Sequence, residues 1–164
     1  MKNFDWTQFT RKIPVKASMQ EMYDAWTTKR ELERWFLKDA GYYDTNGNVI
    51  GDNVNVEKGN TYAWQWFGYD VTEKGKITEA NGNDHFQFTF AGDCPVDIKL
   101  TQRKDEVIVE LTQSNIPTDD DSKINIRLGC HTGWSFFLAN LKSVYEGGID
   151  LRNKDDDASG MVNS

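Results

Sequence analysis

The chain has 164 residues, 38% of them hydrophobic and 13% aromatic, which suits one domain of common size with a real core. A net charge of -7 and a pI of about 4.8 exclude a nucleic-acid backbone as the expected partner. No apolar run can span a membrane, and Asp5, Gln8, Arg11 and Lys12 interrupt any signal-peptide core within residues 1–16, so no membrane insertion is expected and the cytoplasm is the default location.

Phe9, Arg11, Ile13 and Val15 alternate with Gln8, Thr10 and Lys12, so residues 6–15 read as a strand, and Pro14 places it at an edge or a strand end. Ser18 and Glu21 then form a capping box. Met19, Met22, Tyr23 and Trp26 follow as the apolar stripe of a short helix. Thr28 and Glu31 repeat the capping pattern, with Leu32, Trp35 and Phe36 as the stripe of a second short helix.

From about Ala40 to Gln113 the chain reads as β-structure. Tyr62, Trp64 and Trp66 alternate along one segment and Phe86, Phe88 and Phe90 along another, so each trio lies on a single strand face. Val96, Ile98 and Leu100 share a face, as do Val107, Val109 and Leu111 in the next strand, across a Lys104-Asp105 turn. Asn46-Gly47, Lys58-Gly59 and Asn81-Gly82 are hairpin candidates. Polar residues at the intervening positions leave one sheet face wet, which predicts an antiparallel sheet.

Asp119-Asp120-Asp121-Ser122 supplies anions and a cap for a helix running to about Glu146, with Gly147 as its stop. At 1.5 Å per residue that helix is about 36 Å long, enough to cross the sheet. Trp134, Phe137, Leu138, Leu141, Val144 and Tyr145 recur along it at helical spacing. Residues 152–164, with Asp155-Asp156-Asp157, read as a frayed, disordered tail beyond a single domain of residues 1–151.

The residues Leu32-Glu33-Arg34-Trp35-Phe36, Tyr62-Ala63-Trp64-Gln65-Trp66, Gly75-Lys76-Ile77-Thr78-Glu79-Ala80, Phe86-Gln87-Phe88-Thr89-Phe90, Gly133-Trp134 with Leu141-Lys142, and Gly147-Gly148-Ile149-Asp150-Leu151-Arg152 occur in this order over most of residues 6–152. In this arrangement the chain resembles the START-like (SRPBCC) helix-grip superfamily, in the branch related to the C-terminal domain of the activator of Hsp90 ATPase. The resemblance implies an α+β fold: a curved antiparallel sheet wrapped around a long C-terminal helix, with two short helices after the first strand and a cavity between sheet and long helix. It also implies no single activity, because the superfamily holds lipid and hormone carriers, polyketide cyclases and co-chaperone domains.

Little reactive chemistry is present. Cys94 and Cys130 form no CxxC pair and read as reduced, small buried hydrophobes. His85 alternates with Phe86, which places it on the wet sheet face. His131, three residues before Trp134, borders the cavity side of the helix and is either ligand-facing or a boundary histidine. No HExxH and no Cys/His cluster is present, so no metal and no cofactor is expected. Asp44–Asn48 lacks the Gly and Glu of a calcium loop and fits an Asn-Gly turn.

The aromatic face is either packed core or the wall of a cavity. A cavity is favoured by the number of indoles needing partners and by the unfilled end of a sheet curled on one helix. The expected lining is Trp35, Tyr62, Trp64, Trp66, Phe88, Phe90, His131, Trp134, Phe137, Leu138 and Leu141, with the helix of Leu32, Trp35 and Phe36 as lid. The reading is non-catalytic binding of a small apolar or amphipathic molecule. Its alternatives are an interaction module with a chaperone or other protein as partner, and a cyclase or dehydratase with His131 as base. The sequence leaves the oligomeric state open.

Overall fold

The computed structural model describes residues 3–164. Strand β1 (Phe9–Val15) is followed by helices α1 (Met19–Thr27) and α2 (Lys29–Trp35). Strands β2 (Asp39–Tyr43), β3 (Thr61–Gln65), β4 (Thr72–Ala80), β5 (His85–Phe90), β6 (Cys94–Arg103) and β7 (Glu106–Gln113) come next. They form one curved, seven-stranded antiparallel sheet in the order β1-β7-β6-β5-β4-β3-β2. The fold is the α+β helix grip, and no helix among the described residues is long and apolar enough to cross a membrane.

The capping box at α1 is complete: the Ser18 hydroxyl accepts from the Glu21 amide, and the Glu21 carboxylate accepts from the Ser18 amide at 2.7 Å. At α2 only half of it forms, because Thr28 accepts from the Glu31 amide while the Glu31 carboxylate turns to Arg34. Strand β1 begins at Phe9 rather than residue 6, since the Asp5 carboxylate holds the Thr7 amide in a local turn.

Asn81-Gly82 does make the β4–β5 hairpin turn. Lys58-Gly59 makes a turn ahead of β3, at the end of the long β2–β3 connection. The Asp44 carboxylate accepts from the amides of Asn46 and Asn48 and from the Asn48 side chain, which is an Asx turn with Gly47 at φ 83°. Ala91-Gly92, not foreseen, turns β5 into β6 with both residues at positive φ.

The last helix departs from a plain α-helix at its start. Asp119 caps a short turn α3 (Asp120–Ser122), a π-helical stretch covers Lys123–Leu128, and α4 continues over Gly129–Tyr145. Gly147, at φ 79°, ends it, and the Gly148 amide donates to the Ser143 carbonyl.

The chain does not fray at residue 152. Arg152 is buried and donates to the carbonyls of Leu37, Glu33 and Arg34, so its guanidinium satisfies orphan acceptors at the C-terminal end of α2. It also pairs with Asp150 at 2.7 Å. Burial alone would raise the Asp150 pKa, but hydrogen bonds from Arg152, Lys154 and Asn140 outweigh it and hold the carboxyl well below the usual range. Residues 153–164 fold back in a series of turns, with the Asn153 amide donating to the Asn163 carbonyl at 2.8 Å. The segment expected as a tail is polar in composition, but its first residue is an arginine with fixed acceptors to meet.

Removing Arg152 leaves the carbonyls of Leu37, Glu33 and Arg34 without this donor, while Asp150 keeps Lys154 and Asn140. Arg152→Ala should therefore lose about 1–3 kcal/mol in urea denaturation, and a loss under about 0.5 kcal/mol would show that the knot is a surface contact.

Candidate functional site

Rings fill most of the space between sheet and helix. Trp26 meets Trp35 edge-on at 4.8 Å between centroids, and Trp35 stacks on Phe36 at 5.1 Å. Phe36 lies 5.1 Å from Trp134 and 4.9 Å from Phe137. On the sheet side Trp64 stacks on Tyr62 at 3.8 Å and meets Phe88 at 5.1 Å. Trp35, Tyr62, Trp64, Phe88, Leu138 and Leu141 are all buried in this core. They support the site from behind rather than line an open space.

The polar ends of these rings are mostly satisfied without a ligand. Trp35 donates to the Ala25 carbonyl at 2.8 Å, Tyr62 to the Thr89 carbonyl at 2.6 Å, and Trp134 to the Gln113 side chain at 3.1 Å. The indole nitrogens of Trp26 and Trp64 are buried without a partner. Several indoles on one surface therefore do pack into the core, two of them without a protein acceptor.

Among the described residues, one apolar opening remains between the sheet and the long helix. A cleft of about 200 Å³ lies where β3 and β5 end against the start of α4. Its rings are Phe36, Trp66, Phe90, Trp134 and Phe137, and its helical wall is Asn125, Gly129, Cys130 and Gly133. Of the expected lining, Trp66, Phe90, Trp134 and Phe137 meet here. Trp35 does not stand at the mouth and α2 is not a lid, because Leu32 and Trp35 are buried in the core. Phe36 takes that place. It is the C-cap of α2, with φ -121° and ψ -51°, so its side chain leaves the helical stripe.

His131 is absent from the cleft and packs edge-on against Phe9 of β1 at 5.3 Å. The cleft wall is the row Asn125, Gly129 and Gly133. A residue two positions from each glycine lies about 200° round the helix, on the far side. The signal that sequence reading passed over was the pair of glycines four apart inside a helical pattern. A Cβ built on Gly133 meets nothing within 4 Å. Cys130 is the sole titratable residue of the cleft, and burial pushes its thiol up to about 11, so it stays protonated at neutral pH. His85 is half-buried on the outer face and pairs with Asp97 at 2.8 Å, far from this chemistry.

A curved antiparallel sheet closed on a long helix, with an aromatic cleft at one end, defines a START-like helix-grip protein. The sequence profile of the family described as Activator of Hsp90 ATPase homolog 1-like protein matches residues 16–146, and the chain belongs to that family. Among solved structures it is similar to the Aha1 dimer from Colwellia psychrerythraea, with 24% identity, a TM-score of 0.65, and coverage of 86% of this chain and 97% of the other. It is also similar to SSP2350 from Staphylococcus saprophyticus (17% identity, TM-score 0.68, coverage 88% and 96%). CalU16 from Micromonospora echinospora is a third relative in fold (18% identity, TM-score 0.62, coverage 87% and 76%). No curated protein sequence matches the chain.

Burial, and then the nearby Arg11 and Arg127, hold the His131 pKa below its ordinary value. Near pH 6 the native state thus binds fewer protons than the unfolded chain. Stability falls on acidification below about 6.5, and the loss stops beneath the depressed native pKa. His131→Gln should remove this loss. Thermal melts should show the variant gaining on the wild type between about pH 7.5 and pH 5; a constant gap would refute the account.

Proposed function

We propose that the protein binds the apolar part of a small amphipathic molecule in the cleft of Phe36, Trp66, Phe90, Trp134 and Phe137. The observation that carries this reading is Gly133. A helix-interior glycine is less favourable than alanine by about 0.8–1.0 kcal/mol. A Cβ at this position would meet no atom, so packing does not require the glycine. What it leaves is open space against a wall of rings. At about 200 Å³ the cleft is smaller than the roughly 300–1,000 Å³ of pockets that engulf a drug-sized ligand. It therefore suits one ring system or a short apolar end, with the polar part of the ligand left in water.

Binding is favoured over turnover by the same lining. It offers rings, an amide and a thiol that stays protonated, and no carboxylate or imidazole to move a proton. His131 lies on the other side of the helix, which removes the base that a cyclase reading would need.

Gly133→Leu places a side chain in the cleft and should abolish binding of 2-naphthol, measured by calorimetry, while the melting temperature is retained. Gly133→Ala should raise stability by about 0.5–1 kcal/mol and weaken binding less. Undiminished naphthol binding by folded Gly133→Leu would overturn the assignment of the cleft.

A further inference from the structure

Behind the cleft lies a second hollow that the chain itself fills. Phe36, Trp66 and Phe137 line both, and Phe67 extends the apolar surface. Arg152, which lies over the Phe67 ring at 5.6 Å, borders it too, and Asn153, Asn163 and Ser164 close its far side, leaving about 10 Å³. The Asn153 and Asn163 amides find partners within the chain, to Ala158 and Leu151, and their side chains cover four rings that an apolar chain could also cover.

The segment holding that position is weakly fixed. No residue of 153–164 is buried, Met161 is half exposed, and Val162 is 92% exposed. Its attachments are polar and lie at or near the surface. The Asn163 side chain donates to the Leu151 carbonyl at 2.7 Å. The Asp156 carboxylate accepts from the Gly68 amide at 3.0 Å and from Lys38 at 2.7 Å. Few buried apolar contacts and exposed hydrogen bonds mark a segment that opens well below the global unfolding free energy. The segment's one tie to the buried Arg152 knot is the exposed Lys154 ammonium, 3.0 Å from Asp150, and the knot's remaining bonds lie outside it, so the segment can leave while the fold stays intact.

We infer that residues 153–164 set the length of ligand the cleft accepts: they occupy the continuation of the apolar site, and an elongated chain-like amphipath gains its place by displacing them. This rests on the reading of the cleft given above. In the closed state the site takes a compact ring or a short apolar end. With the strap released, Phe36, Trp66 and Phe137 become the middle of a longer groove instead of the end of a short one.

The test uses the full chain and two uncharged probes, 2-naphthol as the compact one and decan-1-ol as the long one. The variant Asp156→Ala/Asn163→Ala removes the strap's attachments to Gly68, Lys38 and Leu151, keeps the Lys154–Asp150 pair, and leaves Asp150 and Arg152 untouched. Decanol should bind the variant on the order of tenfold tighter than the wild type, with naphthol affinity unchanged. In the wild type, decanol and not naphthol should speed hydrogen exchange of the Asn153 amide, which closes the strap onto Asn163. Naphthol binding to both proteins with no gain for decanol overturns the strap while sparing the cleft. Failure of naphthol to bind the wild type overturns both.

Discussion

The contact set formed by Trp26, Trp35, Phe36, Trp64, Phe88 and Trp134 is the constraint on which the rest of the molecule depends. Each ring touches at least one other of the set, and together they join α1, α2, the sheet and α4. A sheet curved round one helix encloses more volume than aliphatic side chains at those positions would fill, and large rings fill it at low entropic cost. The same filling underlies the proposed binding site: because the rings occupy the middle of the grip, the open space beside them lies at the end where Trp66, Phe90 and Gly133 meet.

A second, polar device fixes how the long helix meets α2. Asn140 is fully buried and uses both ends of its amide: it donates to the Trp35 carbonyl and to Asp150, and accepts from the Leu151 amide. Asp150 in turn holds Arg152, whose guanidinium meets carbonyls of α2. Every member has a partner, the condition under which a buried polar network stabilises rather than weakens a core. It sets the end of α2, and so the direction of Phe36, which forms one wall of the cleft. The knot and the cleft meet at adjacent residues, the Trp35 carbonyl in the first and the Phe36 ring in the second.

The fold was legible because its signals are local and periodic. The period-two rings of Tyr62, Trp64 and Trp66, the Ser18–Glu21 box and the stripe from Trp134 to Leu141 each specify an element without knowledge of its neighbours. The cleft was legible in part. Periodicity says which face a ring occupies but not how deep along that face, so Trp64 and Trp66 looked equivalent; the first is core and the second lines the opening. Phe36 and His131 were misplaced for a related reason. A helix end rotates its cap residue off the stripe, and a residue near an aromatic in sequence need not share its face. The π-helical stretch of Lys123–Leu128 and the fold-back of 153–164 have no periodic pattern in the sequence to announce them.

Two kinds of glycine separate scaffold from site. At Gly75 a Cβ would stand 2.5 Å from the Tyr62 ring and 2.6 Å from the Thr89 carbonyl oxygen, so packing compels the glycine and no function need be invoked. At Gly133 nothing compels it: the backbone is helical, the space is empty, and alanine would be the better helix former. Natural chains tolerate such a deficit where the vacated space is used. Here that space is bounded by five rings and closed at one end by polar residues of the same chain. An unforced glycine, an asparagine wall against aromatics and a strap with no buried residue of its own meet at one end of the grip.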